Sequence, residues 1–69
     1  MTAQFSLIPA LLLQAGDKVQ VPDCDIVGTV QAVQTMFIKR SGRFVRLRFE
    51  NTADLVVPLK ANVLAVQVR

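Results

Sequence analysis

The length, composition and charge of this chain define one small basic domain. Its 69 residues include 52% hydrophobic side chains and carry a net charge of +3, which suits a single small core and no second domain, so residues 1–69 are predicted as one unit. The absence of histidine excludes the common catalytic triads, and three glycines leave no glycine-rich phosphate loop. The single cysteine, Cys24, has no internal partner, so we expect a protein of the reducing cytoplasm.

Residues 1–14 are predicted as an apolar N-terminal arm. The run 5–13 (FSLIPALLL) is too short for a bilayer, which takes roughly 20 residues, and no basic segment precedes it, so we expect no membrane association. Pro9 is compatible with the first turn of a helix. Residues 8–14 therefore form either one short helical turn or an extended arm, which would lie across an opening of the barrel expected for the rest of the chain. Both alternatives bury Leu11 and Leu13 or their neighbours.

About five strands are predicted between residues 15 and 69. The run 17–21 alternates polar and apolar residues after a turn signal, and Pro22 ends it. The run 26–34 is β-branched, and its alternation slips between Val30 and Val33, which indicates a bulge. Gly28 permits that bulge or a close approach of backbone.

A hairpin over residues 37–50 (FIKRSGRFVRLRFE), with its turn at 41–42, is the most informative stretch. Because successive strand side chains face opposite sides of a sheet, Val45, Leu47 and Phe49 form an apolar face. The opposite face carries Phe44, Arg46, Arg48 and Glu50. Residues 55–59 and 64–68 then complete the strands, and Pro58 requires an edge or terminal position in the first of these two.

This layout resembles the SH3-like small barrels, the broad group that includes SH3, Tudor and KOW modules. The residues that carry the resemblance are 16–21 (GDKVQV), 28–30 (GTV), 45–49 (VRLRF) and 57–59 (VPL). The resemblance implies an all-β fold, in which about five antiparallel strands form a closed or nearly closed barrel over residues 15–69, preceded by the arm 1–14. Since the chain has no tryptophan or tyrosine, a Tudor-type aromatic cage and an SH3-type aromatic groove are not expected.

Catalytic and metal-binding groups are sparse. Asp23 and Asp25 flank Cys24 in a stretch of turn formers, and aspartate is favoured there by turn geometry. Cys24 has no visible general base, and the carboxylates are too few for a hard-cation site. We therefore expect a protein that is not an enzyme and that uses no metal or cofactor.

The strongest functional candidate is a basic cluster on the hairpin. Five of the eight cations lie within ten residues, and arginine at this density suits phosphate groups. The predicted nucleic-acid-binding residues are Lys39, Arg40, Arg43, Phe44, Arg46 and Arg48, with Phe44 as a stacking platform between cations. The competing interpretation is a solvated polar face that discourages edge pairing, with Phe44 packed on a neighbour.

A surplus of apolar side chains supports an alternative function. The arm, with Met36 and Phe37, exceeds what one face of a small barrel buries. The predicted interface residues are Phe5, Leu7, Ile8, Leu11 and Leu12, which would join a second copy of the chain or a larger protein. If the arm instead plugs one barrel end, no partner is needed. We thus expect a non-catalytic binding module for nucleic acid, or alternatively a protein-interaction or homo-oligomerisation module.

Overall fold

Six antiparallel strands and one short 3₁₀ helix form the computed structural model, which describes residues 4–22 and 25–68. The predicted all-β class is confirmed. Asp23 and Cys24 lie outside the described residues. In chain order the elements are β1 (Ser6–Pro9), the 3₁₀ helix (Ala10–Leu12), β2 (Lys18–Gln20), β3 (Val27–Ile38), β4 (Gly42–Phe49), β5 (Leu55–Pro58) and β6 (Asn62–Val66). The strands adjoin in the order β1-β6-β2-β3-β4-β5.

The sheet is open, so of the predicted closed or nearly closed barrel, full closure is not found in the described chain. Strands β1 and β5 are its two edges, and no ladder joins them within the described residues. The strand count rises to six because residues 6–9 of the predicted arm pair with β6. The run 26–34 and the start of the predicted hairpin, which were expected to be separate, form the single twelve-residue strand β3.

Each of the two edge strands carries an outward-facing proline. Pro9 of β1 precedes a residue whose N–H donates into the sheet, to the Ala61 carbonyl at 3.0 Å. Pro58 of β5 likewise precedes a residue that donates to the Arg43 carbonyl at 3.1 Å. Because neighbouring residues of a strand direct their backbone groups to opposite sides, both prolines face outward, where they offer no donor. The predicted edge position of Pro58 is therefore confirmed.

The N-terminal arm contains the predicted short helical turn, and its extended part pairs with β6 at the sheet edge instead of lying across a barrel opening. An extended segment, β1, leads into the helical turn at Ala10–Leu12. Residues three apart in a 3₁₀ helix lie on one side, so Ala10 and Leu13 are both buried while Leu11 remains 47% exposed. The expectation that Leu11 and Leu13 or their neighbours are buried is met by Leu13 and by Ala10, because the turn directs Leu11 away from the core.

The bulge in β3 is confirmed, and it lets one strand serve two partners. The register with β4 shifts between Val30 and Ala32. Before the bulge, β3 pairs with β2; after it, β3 pairs with β4 alone. Gly28 admits the ring of Phe49, because a β-carbon at that position would lie 2.7 Å from the Phe49 Cδ1 atom. The close approach is thus made by a side chain, not by backbone.

The core lies where the two halves of the sheet meet. Its buried hydrophobic side chains are Ala10, Leu13, Val19, Val30, Val45, Leu47, Phe49, Val63 and Ala65. One carboxylate, that of Asp17, is buried beside them with 1% exposure. Its two oxygens accept the N–H groups of Gln14 at 2.9 Å and Val68 at 3.0 Å. Asp17 therefore ties the arm to the segment that follows β6.

Candidate nucleic-acid interface

The tip of the β3–β4 hairpin is a three-residue turn, 39–41, which overlaps the turn predicted at 41–42. The last strand pair joins Ile38 to Gly42, and the Ser41 N–H donates to the Ile38 carbonyl at 2.9 Å. Arg40 has a φ of 74° and Gly42 a φ of 100°. Glycine adopts this left-handed region without steric cost, whereas Arg40 is held there by the turn. The strained residue is itself one of the predicted binding cations.

The hairpin tip extends past its neighbouring strand. The pairing of β4 with β5 ends at Phe44 and Pro58, but the pairing of β3 with β4 continues through Phe37 with Arg43 and then Ile38 with Gly42. Two rungs and the turn therefore project beyond β5. The described chain measures 44 × 22 × 20 Å, an elongated shape to which the twelve-residue β3 contributes.

The structure divides the predicted basic cluster into two groups. Lys39, Arg40 and Arg43 are exposed around the tip, and no acidic side chain pairs with them in the part of the chain that the structure describes. Arg46 and Arg48 lie on the opposite face and converge on Asp54. The Arg46 Nε and Nη2 atoms are 2.8 Å and 2.5 Å from the Asp54 Oδ2 atom, and the Arg48 Nε atom is 3.8 Å from it.

The predicted division of the β4 side chains between two faces is confirmed. Val45, Leu47 and Phe49 are buried, while Arg46 is half-buried and Arg48 exposed. Phe44 shares the arginine face but is half-buried, with Met36 and Pro58 as its directly opposed residues. It packs among apolar neighbours, as the competing interpretation expected for this side chain.

Phe37 is the exposed aromatic ring of the site. It is 71% exposed and lies directly opposite Arg43 in the β3–β4 ladder, so the two side chains share a face beside the tip. Sequence reasoning had assigned Phe37 to the apolar surplus. The signal that could have placed Phe37 next to a cation is the alternation of side chains from Met36 to Ile38, combined with the register of the hairpin.

The acidic residues stand apart from the tip. The chain carries no aspartate or glutamate between residues 26 and 49, and Glu50 follows the far end of β4, where its N–H donates to the Thr29 carbonyl at 2.9 Å. A further cation, Lys60, is exposed and follows Leu59, which is bonded to the Arg43 backbone. Lys60 was not among the predicted site residues, because it comes close to the hairpin only through the path of the chain after β5.

An open apolar groove of about 420 Å³ adjoins the tip. It is lined by Leu11, Thr35, Met36, Phe37, Arg43 and Leu59. Of the predicted interface residues, Ile8 is half-buried, and the remaining four are exposed: Phe5 by 37%, Leu7 by 66%, Leu11 by 47% and Leu12 by 58%. The arm thus presents apolar side chains outward, and its role as an interface stays a prediction.

Metal-ligand clusters and membrane spans are not found in the described residues. No three acidic or cysteine side chains there are arranged to hold a metal ion. No helix in residues 4–22 and 25–68 has the length and apolar character needed to cross a membrane. Comparison with protein-family models, with curated proteins and with solved structures finds no match.

Proposed function

We propose that this chain is a small non-catalytic binding module, of SH3-like type, that associates with single-stranded nucleic acid through the tip of the β3–β4 hairpin. The observation that carries this function is which of the basic side chains form ion pairs with carboxylates of the chain. Lys39, Arg40 and Arg43 meet no carboxylate among the described residues, so their charge is available to an external anion. Phosphate groups of a nucleic-acid backbone are anions that these side chains bind well.

The exposed ring of Phe37 favours a single strand over a duplex. Bases of a single strand are free to stack on aromatic side chains, and each stacked base contributes about 1–3 kcal/mol. Phe37 lies opposite Arg43, so a strand whose phosphates follow the tip cations would bring a base to this ring. The half-buried Phe44 is less suited to stacking, because apolar residues flank it on both neighbouring strands.

Arg46 and Arg48 take a secondary part. Both remain partly exposed, with side-chain exposures of 42% and 48%, but the Asp54 carboxylate neutralises part of their charge. An incoming phosphate would have to compete with Asp54 for the Arg46 guanidinium. The tip therefore provides the main electrostatic contact, and the Arg46–Arg48 face provides a second one.

The test is fluorescence anisotropy of a labelled oligonucleotide, measured over a range of salt concentrations. The triple substitution of Lys39, Arg40 and Arg43 by glutamine should lower the affinity and reduce the slope of log affinity against log salt by about 2, since each single-strand phosphate contact adds ~0.7. The matched control replaces Arg46 and Arg48 by glutamine, and we expect a smaller change. Phe37→Leu, which retains an apolar side chain, should weaken binding by about 1 kcal/mol or more.

Equal binding by the wild type and the triple variant would exclude the tip as the nucleic-acid site. A wild-type protein that binds neither single-stranded nor double-stranded oligonucleotides would remove the nucleic-acid function itself. The exposed side chains of the arm, led by Leu7 and Leu12, would then support the alternative, a protein-interaction or homo-oligomerisation module.

A further inference from the structure

The larger, C-terminal part of β3 has an edge that pairs with no other described strand. On one side β3 pairs with β4 through Ile38, but on the other side β2 pairs only with residues 27–29. Val30 then exchanges backbone hydrogen bonds with the turn before β2, at 2.8 Å with Gly16 and 2.9 Å with Asp17. From residue 31 to residue 38 no described residue pairs with this edge.

The hydrogen-bond pattern identifies which residues point outward. The Arg43 carbonyl accepts from β5, so the next residue, Phe44, directs its backbone groups toward β3 and its partner Met36. Alternation along β3 then directs the N–H and C=O groups of Val33, Thr35 and Phe37 away from β4. None of these residues is proline. Three donors and three acceptors with no partner among residues 4–22 and 25–68 therefore line one edge, in contrast to the proline-bearing edges of β1 and β5.

The free edge is complementary to itself. If two copies align β3 antiparallel with Thr35 on the two-fold axis, Thr35 meets its own equivalent, and each Val33 meets the Phe37 of the other copy. Residues whose backbone groups point away from β4 then lie opposite residues of the same kind. The three N–H and three C=O groups on each chain therefore all form hydrogen bonds across the axis. A shift of two residues in either direction leaves one of the three residues on each chain without a partner.

Charge and side-chain chemistry also fit a second copy. No charged residue occurs between residues 26 and 38, so self-pairing opposes no like charges within the ladder. Directly opposed residues share a sheet face, so Phe37, now 71% exposed, would lie beside Val33, which packs against the core. In the dimer, the strand of the second copy thus places an apolar side chain beside the ring of Phe37.

We propose that the chain forms a two-fold homodimer by antiparallel pairing of the β3 edge, with Thr35 on the axis and with Val33 opposite Phe37. A partner of other sequence would also find free backbone groups here, but an uncharged and self-complementary stretch suits a second copy of this chain. The cations of the turn 39–41 lie outside the paired residues, so dimer formation leaves them accessible. Phe37 belongs both to this ladder and to the proposed nucleic-acid site, and the mass of the protein is therefore measured without nucleic acid.

The experiment is size-exclusion chromatography with light scattering, in the absence of nucleic acid. The wild type should show twice the 7.6 kDa mass of one chain. Thr35→Lys and Thr35→Glu each place like charges opposite one another on the axis, so each variant alone should run as a monomer, with dimer affinity lowered about tenfold or more. Mixing the two variants opposes unlike charges, and the mixture should regain the dimer mass.

The matched controls are Val56→Lys and Val56→Glu, which place the same charges on the exposed β5 strand and should remain dimeric. Circular dichroism spectra equal to that of the wild type establish that the Thr35 variants are folded. A wild type that is monomeric at its highest soluble concentration would overturn the dimer. Dimers formed by both single Thr35 variants, or a mixture that stays monomeric, would also overturn it, since Thr35 would not then face its own equivalent.

Discussion

Replacing Gly28 with alanine should destabilise the fold, because the new methyl group would overlap the ring of Phe49. A β-carbon at Gly28 would lie 2.7 Å from the Phe49 Cδ1 atom and 2.8 Å from its Cγ atom. Carbon atoms in contact are normally about 3.5–4.0 Å apart. The Cγ atom is next to the Phe49 backbone, and the ring is only 6% exposed. Relief therefore requires movement of the strand and not only of the ring.

The size of the effect follows from two opposing contributions. Overpacking of a core costs about 1–3 kcal/mol. A change from glycine to alanine also restricts the unfolded chain, which stabilises the fold by about 0.4–1 kcal/mol. The net loss in the free energy of unfolding should thus be about 1–2 kcal/mol. In a domain of this size that loss lowers the melting temperature by about 4–8 °C per kcal/mol.

Urea denaturation followed by circular dichroism measures this loss, and a double-mutant cycle assigns its cause. In a Phe49→Leu background the Gly28→Ala change should cost about 1 kcal/mol less, because the smaller side chain leaves room for the methyl group. Gly16→Ala is the matched control. Gly16 has a φ of 97° with no atom within 4 Å of the added carbon, so its cost comes from the backbone and should be equal in both backgrounds. A Gly28→Ala protein as stable as the wild type would refute the steric cause.

Two further substitutions test the remaining polar contacts. Asp17→Ala should lower the free energy of unfolding by about 2–4 kcal/mol, because two backbone N–H groups lose a charged acceptor. Asp17→Asn should lower it less, since one side-chain oxygen remains as an acceptor. Equal urea midpoints for the wild type and Asp17→Ala would contradict this prediction. Asp54→Asn should change stability by only about 0.5 kcal/mol, as expected for an exposed ion pair. Because Asp54→Asn releases the Arg46 guanidinium, the variant should bind an oligonucleotide a few-fold more tightly, and the slope of log affinity against log salt should steepen by up to ~1. Weaker binding of the variant in fluorescence anisotropy would contradict the secondary role of the Arg46–Arg48 face.

Local patterns in the sequence were sufficient for most of the secondary structure. The alternation of Val45, Leu47 and Phe49 predicted the buried face of β4, and the break in alternation after Val30 predicted the bulge. Pro58 predicted an edge strand. These predictions hold because strand alternation and the missing proline N–H act within a few residues, so no knowledge of distant contacts is needed.

Longer-range features were not predictable in the same way. The sequence left open whether the barrel closes fully, because closure depends on two edges separated by about fifty residues. Likewise, that Pro9 removes a donor from the edge of β1 follows only from its outward orientation in the structure. The basic cluster was predicted as one site, but the position of Asp54 beside Arg46 divides it. The exposure of Phe37 likewise depends on β5 ending before the hairpin does.

The sequence by itself determined an all-β chain with a cationic hairpin and an apolar arm, because strand periodicity, turn chemistry and charge are local properties. Only the tertiary structure decided which cations remain unpaired and which edge remains free. Both depend on register: Asp54 meets Arg46 where the chain returns into β5, and Thr35 is left unpaired because β2 begins at Lys18 and the chain before it bonds to β3 only as far as Val30. Contacts between distant segments are thus what distinguishes the tip 39–43 and the β3 edge from the rest of the surface.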